Sequence, residues 1–335
     1  MPGMGNTILA MLSWFPGQMP DYHPPFFLFN THLETIYPAL FRKVSLPAYK
    51  RERINTPDED FLDLDWIQKG HRDLLIISHG LEGNTQRAYV KGMARAALAQ
   101  DFDVLAWNFR GCSEEINRQL YFYHSGATHD LDCVVKHAIN YKDYRNIYLL
   151  GFSLGGNLTL KFLGENRNLD PKIKKAVAIS VPMDLYGSCL EISKIKNRLY
   201  EKRFLNSLKE KIILKEKLFP GKLDLSLLSK IKNLISFDNY FTAPLHGYKN
   251  AQDYYQQCSS LQFLKDIKIP VLVLNAKNDP FLSLSCYPEE PYQGNPLVHL
   301  NYPNQEGHVG FSHFNHNGIF WSEKKAIEFF KGSIL

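Results

Sequence analysis

No stretch of this chain reaches the roughly eighteen consecutive apolar residues that a membrane-crossing helix needs, so none is expected to span a bilayer. The apolar run at residues 8–15 is short. It has no Lys or Arg before it and no small-residue cleavage pattern after it, so it is not expected to act as a signal peptide. Cysteine is scarce and odd in number: Cys112, Cys133, Cys189, Cys258 and Cys286 are scattered, with no Cys-x-x-Cys pair. That spacing excludes a disulfide framework and a thiolate zinc site, and it suits reduced, mostly buried thiols in a cytoplasmic protein. Internal repeats and low-complexity tracts are also missing. The net charge is only +5, and no nucleic-acid-binding motif accompanies it, so no nucleic-acid partner is expected.

That small charge is unevenly placed. Residues 191–232 hold 12 Lys or Arg against 5 Asp or Glu, an excess of 7 over a segment where the whole chain has +5. Within it Ile192, Ile195, Leu199, Leu205, Leu208, Ile212 and Leu218 recur at helical spacing, which predicts amphipathic helices with a cationic outer face. Such a face is a solvated surface first and an attraction for anionic lipid or acidic substrate second. Helices that spend their apolar stripe on a core leave at most peripheral, salt-sensitive membrane contact.

Elsewhere short apolar runs alternate with helical patterns. Strands are predicted at residues 60–68, 73–78, 103–109, 176–181, 270–276 and 296–302, with a further one starting at 146 and running into Gly151, and helices at 86–99, 129–141 and 317–331, with a further one ending near 165. This order implies an α/β fold with a mostly parallel central sheet covered by helices on both faces. The gap between the strands at 176–181 and 270–276 then reads as a helical cap insertion. The expected division is an extension over 1–23, a core of 24–182 and 265–335, and a cap over 183–264.

At the centre, a strand runs straight into Gly151-Phe152-Ser153-Leu154-Gly155 and a helix. A serine on so sharp a turn needs neighbours without side chains two positions away on either side, and its hydroxyl is lifted above the sheet. Such a nucleophile needs a base, and a carboxylate to orient that base. Asp279 follows one late strand and His308 the next, in the order Ser, acid, His that this type of sheet requires. Alone, Asp279 before Pro280 reads as a turn or helix cap, and His308 as a loop histidine. Their order after the Gly-x-Ser-x-Gly turn is what makes them a set. His308 lies between Gly307 and Gly310, which free it to reach Ser153, whereas His299 sits within a strand and His313 and His316 lie beyond the loop. No carboxylate or thiolate shares a ligand spacing with these histidines, so no metal is expected, and no cofactor either. Oxyanion donors are expected from the amide of Leu154 and, in the glycine-rich loop His79-Gly80-Leu81-Glu82-Gly83-Asn84, from that of Leu81. Arg110, in Asn108-Phe109-Arg110-Gly111, suits a structural anchor better than a substrate contact. In the insertion Phe237, Tyr240, Phe241 and Tyr248, with Tyr254 and Tyr255 nearby, are expected either to offer apolar surface to a substrate or to pack the insertion onto the core.

Several of these motifs occur together with Asn30-Thr31-His32-Leu33-Glu34-Thr35-Ile36-Tyr37-Pro38 near the start. In the insertion they are joined by Phe237-Asp238, Thr242-Ala243-Pro244, Gly247-Tyr248, Tyr254-Tyr255 and Ser259-Ser260. In this combination, from about Pro24 onward, the chain resembles the YheT-like branch of the α/β-hydrolase superfamily, related to the abhydrolase-domain 1 and 3 proteins. The resemblance implies a Ser-Asp-His triad on Ser153, Asp279 and His308 and a preference for carboxylic esters. The expected activity is therefore ester hydrolysis through an acyl-enzyme. An acyltransferase using the same intermediate and an idle binding protein on a hydrolase scaffold are the alternatives. The expected partner is a small-molecule ester bearing an acyl chain.

Overall fold

A computed structural model describes residues 22, 24–165, 167–289, 294–313 and 315–333. The proposed extension over 1–23 and its apolar run at 8–15 lie outside the described residues, apart from Tyr22, whose ring packs against Phe311 and Trp321.

Eight strands form one sheet in the order β1-β2-β4-β3-β5-β6-β7-β8. They are β1 (Lys50–Asn55), β2 (Phe61–Ile67), β3 (Asp73–Ser78), β4 (Phe102–Asn108), β5 (Asn146–Phe152), β6 (Ile173–Ile179), β7 (Val271–Leu274) and β8 (Val298–Asn301). From β4 onward every pairing is parallel; β1 and β2 pair antiparallel at one edge. The central strands read as continuous apolar runs because both faces are covered. Period-2 geometry still sorts them: Leu74 and Ile76 of β3 join one core, and Leu75 and Ile77 the other. Helices α3 (Thr128–Tyr141) and α4 (Leu154–Gly164) fill the first face. α2 (Ala88–Leu98) and the closing helix α8 (Trp321–Lys331) fill the second.

Two elements were not foreseen. β1 is Lys-Arg-Glu-Arg-Ile-Asn, a charged sequence that suits an exposed edge and discourages pairing with another chain. Its arginines reach back to β2: Arg51 and Arg53 pair with Asp65 and Asp63, whose side chains are buried. The second is α1 (Thr31–Phe41), capped by Asn30, whose side chain accepts from the His32 amide. Its C-terminal end is tied down by Arg42, which forms a bidentate pair with Glu323 in the first turn of α8.

Between β6 and β7 the chain forms α5 (Leu185–Ile192), α6 (Arg198–Leu218), short helical turns over 234–245 and α7 (Ala251–Cys258). The basic segment differs from the simple amphipathic picture in two ways. Ile192, Leu205, Leu208 and Ile212 are buried as expected, but Ile195 and Leu199 are 92% and 81% exposed and Leu218 is exposed as well. Two lysines also turn inward. Lys211 Nζ donates to Glu82 at 2.5 Å, and Lys215 donates to the carbonyls of Asn117 and Gln119, while burial pulls its pKa down to about 8. No described helix is long and apolar enough to cross a membrane.

Candidate active site

β5 delivers Ser153 at its carboxyl end, and α4 begins with the next residue. Ser153 has φ 51° and ψ −120°, a left-handed conformation that costs on the order of 1–3 kcal/mol for a residue with a side chain. The surroundings fix it: its amide donates to Ile179 O at 2.8 Å, and Gly156 and Asn157 donate back to its carbonyl. The flanking glycines are required by proximity. A Cβ on Gly151 would lie 2.2 Å from Gly155 O, and one on Gly155 would lie 2.4 Å from His79 O.

β7 is followed by Asp279 and β8 by His308, and both loops lead back to Ser153. His308 Nε2 lies 3.0 Å from Ser153 Oγ, and His308 Nδ1 lies 2.8 Å from Asp279 Oδ2. Asp279 is buried, which raises its pKa, while the neighbouring imidazole opposes that rise. Its other oxygen accepts from the Phe281 amide at 2.9 Å, and the Phe281 ring lies 4.5 Å from the His308 ring. A carboxylate is an acceptor, so the proton belongs on Nδ1 and the lone pair of Nε2 faces the serine. Among the described residues, His308 is the histidine that lies within hydrogen-bond reach of Ser153.

The Leu81 and Leu154 amides donate to no group among the described residues, while their neighbours do: Gly80 N to Tyr89 Oη at 3.1 Å, Glu82 N to Tyr123 Oη at 3.0 Å and Gly83 N to Gly80 O. The Leu81 loop is held from behind by His79, which is fully buried. Burial lowers its pKa to about 3, so it stays neutral; Nε2 accepts from the Phe109 amide at 3.1 Å and Nδ1 faces Gly80 O at 2.7 Å. It is held from the front by Glu82, which accepts from Tyr123 and from Lys211 of α6. Arg110 is a structural anchor, as expected, and its partners are carboxylates: Asp58, Asp60 and Asp130 surround it. Asn157, one turn into α4, was passed over as a tether. Its side chain donates to Ser125 O and Cys258 O and accepts from Ser260 N, joining the end of α7 to the core.

Ser153, Leu81, Leu154 and His308 line a cavity of about 570 Å³, whose walls include Phe204, Leu208, Leu185, Leu234, Tyr254 and Tyr255. The four residues expected to meet the substrate are not on its surface. Phe237 and Phe241 are buried with the main core, and Tyr240 packs against that core. Tyr248 packs on Tyr254, and its hydroxyl lies 3.2 Å from Cys258 Sγ. Aromatic content marked the segment but not its inward face: Tyr254 and Tyr255 reach the cavity, Tyr248 braces Tyr254, and Phe237, Tyr240 and Phe241 belong to the main core. Asp238 also lines it, accepting from Tyr255 Oη and Thr242 Oγ1 at 2.5 Å each, and burial raises its pKa to about 6.

A family model described as the alpha/beta hydrolase fold matches residues 73–311, from β3 to just past His308. The chain belongs to this family. Within it, the chain falls in the branch of YheT from Escherichia coli (strain K12), to which it is 36% identical over 289 residues, 84% of each chain. The phospholipase ABHD3 of Bos taurus is 27% identical over 302 residues, covering 87% of this chain and 73% of its own. The monoacylglycerol lipase of Saccharomyces cerevisiae is 29% identical over 296 residues, 84% of this chain and 63% of its own. Among solved structures, the esterase Pf2001 of Pyrococcus furiosus aligns with a TM-score of 0.57 over 87% of this chain and 95% of its own; at 18% identity the likeness concerns the fold.

Proposed function

We propose that this α/β hydrolase cleaves carboxylic esters through an acyl-enzyme on Ser153. The observation that carries the reading is His308, whose ring nitrogens lie within hydrogen-bond reach of Ser153 on one side and Asp279 on the other. In the reaction His308 Nε2 removes the Ser153 proton as Oγ attacks the ester carbonyl. The charge that develops on the carbonyl oxygen meets the free amides of Leu81 and Leu154. Collapse expels the alcohol, which takes its proton from His308, and a water activated by the same nitrogen then releases the acid. Asp279 holds the imidazole in the required tautomer and stabilises its cationic form.

The apolar walls of the cavity support an acyl-bearing ester, and the names of the lipase and phospholipase relatives point to the same class. In this reading residues 183–264 are a cap on a core of 24–182 and 265–335, because the insertion supplies much of the cavity wall. Five unpaired cysteines support a cytoplasmic setting. A panel of p-nitrophenyl esters tests the substrate class. kcat/KM should rise from acetate toward medium chains, since each buried methylene contributes about 0.8 kcal/mol. A monotonic fall from acetate onward would oppose an acyl-binding cavity.

The cationic insertion also supports peripheral contact with anionic lipid, about 1 kcal/mol for each Lys or Arg near the surface. Ile195 and Leu199, left exposed beside those charges, add an apolar component. Flotation with anionic vesicles should show binding at low salt that weakens as salt is raised. Absence of binding at low salt would leave the charge as solvated surface.

A further inference from the structure

The motif Asn30 to Pro38 has no part in the chemistry above, yet α1, which it forms, lies directly against the two loops that carry Asp279 and His308. Glu34, on the buried side of α1, uses a single oxygen to accept from Asn278 Nδ2 at 2.8 Å and from the Glu306 amide at 2.9 Å. Asn278 precedes Asp279, and Glu306 lies two residues before His308, so one carboxyl group joins the acid's loop to the base's loop. The neighbouring side chains repeat the pattern. Thr35 Oγ1 accepts from the His308 amide at 2.9 Å and donates to Thr31 O at 2.7 Å, and Thr31 Oγ1 donates to Asn278 O at 2.7 Å. Asn278 completes the link by accepting from the Gly307 amide at 3.1 Å.

The loop so held is strained. Val309 and Phe311 have φ of 56° and 41°, values that side-chain-bearing residues keep only when their surroundings impose them. The approach is also close enough to dictate sequence. A Cβ on Gly307 would lie 2.5 Å from both Thr31 O and Thr35 Oγ1, and one on Gly310 would lie 2.6 Å from Glu34 O. These glycines therefore do more than free His308 to move. They let α1 lie against its loop.

We propose that Thr31, Glu34 and Thr35 are positioning residues, a clamp from one turn of α1 that sets the distance between Asp279, His308 and Ser153. The proposal rests on the triad reading above. A carboxylate, an imidazole and a hydroxyl on three separate loops keep hydrogen-bond spacing only if the loops are fixed relative to one another, and misplacement by about 1 Å can cost on the order of 100-fold in rate.

The test uses the full chain with a p-nitrophenyl ester and a fluorophosphonate probe. Thr35→Val preserves the shape of the side chain but removes the acceptor for the His308 amide. It should lower kcat and the labelling rate by about 10- to 100-fold while KM stays within about twofold. Thr35→Ser, which keeps the hydroxyl, should restore most of the rate. Glu34→Ala should behave like Thr35→Val, and Glu34→Gln, whose amide oxygen can accept both N–H groups, should keep most of the activity. Melting temperatures accompany each variant. If Glu34→Ala fails to fold, the isosteric threonine pair decides alone. Wild-type kcat and labelling rate in both Thr35→Val and Glu34→Ala would overturn the clamp and leave the triad standing, whereas a wild-type protein that takes no label would remove the triad reading first.

Discussion

Ser153→Ala is expected to lower kcat for p-nitrophenyl esters by at least about 10⁴-fold with the melting temperature nearly unchanged. In the proposed mechanism the hydroxyl oxygen forms the acyl-enzyme, and alanine supplies no nucleophile. The substitution should also relieve none of the fold's constraints, because the backbone bonds from Ser153 to Ile179, Gly156 and Asn157 do not involve the side chain. His308→Ala and Asp279→Ala should be severe as well, yet either one combined with Ser153→Ala should add little. The three groups act as a unit, so losing the nucleophile removes the step that the other two assist. Additive losses across the double variants would mean that these side chains serve separate steps.

The second large effect falls on stability. Gly155→Ala should destabilise the protein by about 3 kcal/mol, the upper end for a methyl group forced into a packed core, and lower the melting temperature by roughly 4 °C. The added methyl would lie 2.4 Å from His79 O and 2.6 Å from Ser78 O. Both are backbone atoms, at the end of β3 and the start of the Leu81 loop, and neither can rotate aside. Gly156→Ala provides the comparison. Its nearest atoms are Val181 Cγ2 at 2.6 Å and Gly151 O at 3.1 Å, so only one contact is that close and it is a side-chain methyl rather than backbone, and the cost should be smaller. A wild-type melting temperature for Gly155→Ala would show that the elbow tolerates what its geometry forbids.

Much of this architecture was legible because it depends on local rules. Runs such as Leu74 to Ile77 and Val271 to Leu274 are too uniformly apolar for anything but strands covered on both faces. Ser153 was legible from its flanking glycines, and Asp279 and His308 from their place after strand ends. What was missed depends on partners distant in sequence. β1 reads as a charged loop until Asp63 and Asp65 are seen opposite Arg53 and Arg51. Lys211 and Lys215 read as solvent-facing until Glu82 and the carbonyls of Asn117 and Gln119 are placed beneath them. The aromatic residues of the insertion show the limit most clearly. Composition established that the segment packs on something apolar, but short helical turns over 234–245 carry no sustained period from which to read that Phe237 and Phe241 face the core. Glu34 and Thr35 show no task in the sequence, since their bonds run to residues more than 240 positions away.

Peptide mapping by mass spectrometry after fluorophosphonate treatment tests the central claim most directly. The account predicts one covalent adduct, on the peptide containing Ser153, formed by the native protein and lost on heat denaturation or in His308→Ala. An adduct on another serine, or none on the folded wild-type protein, would contradict it.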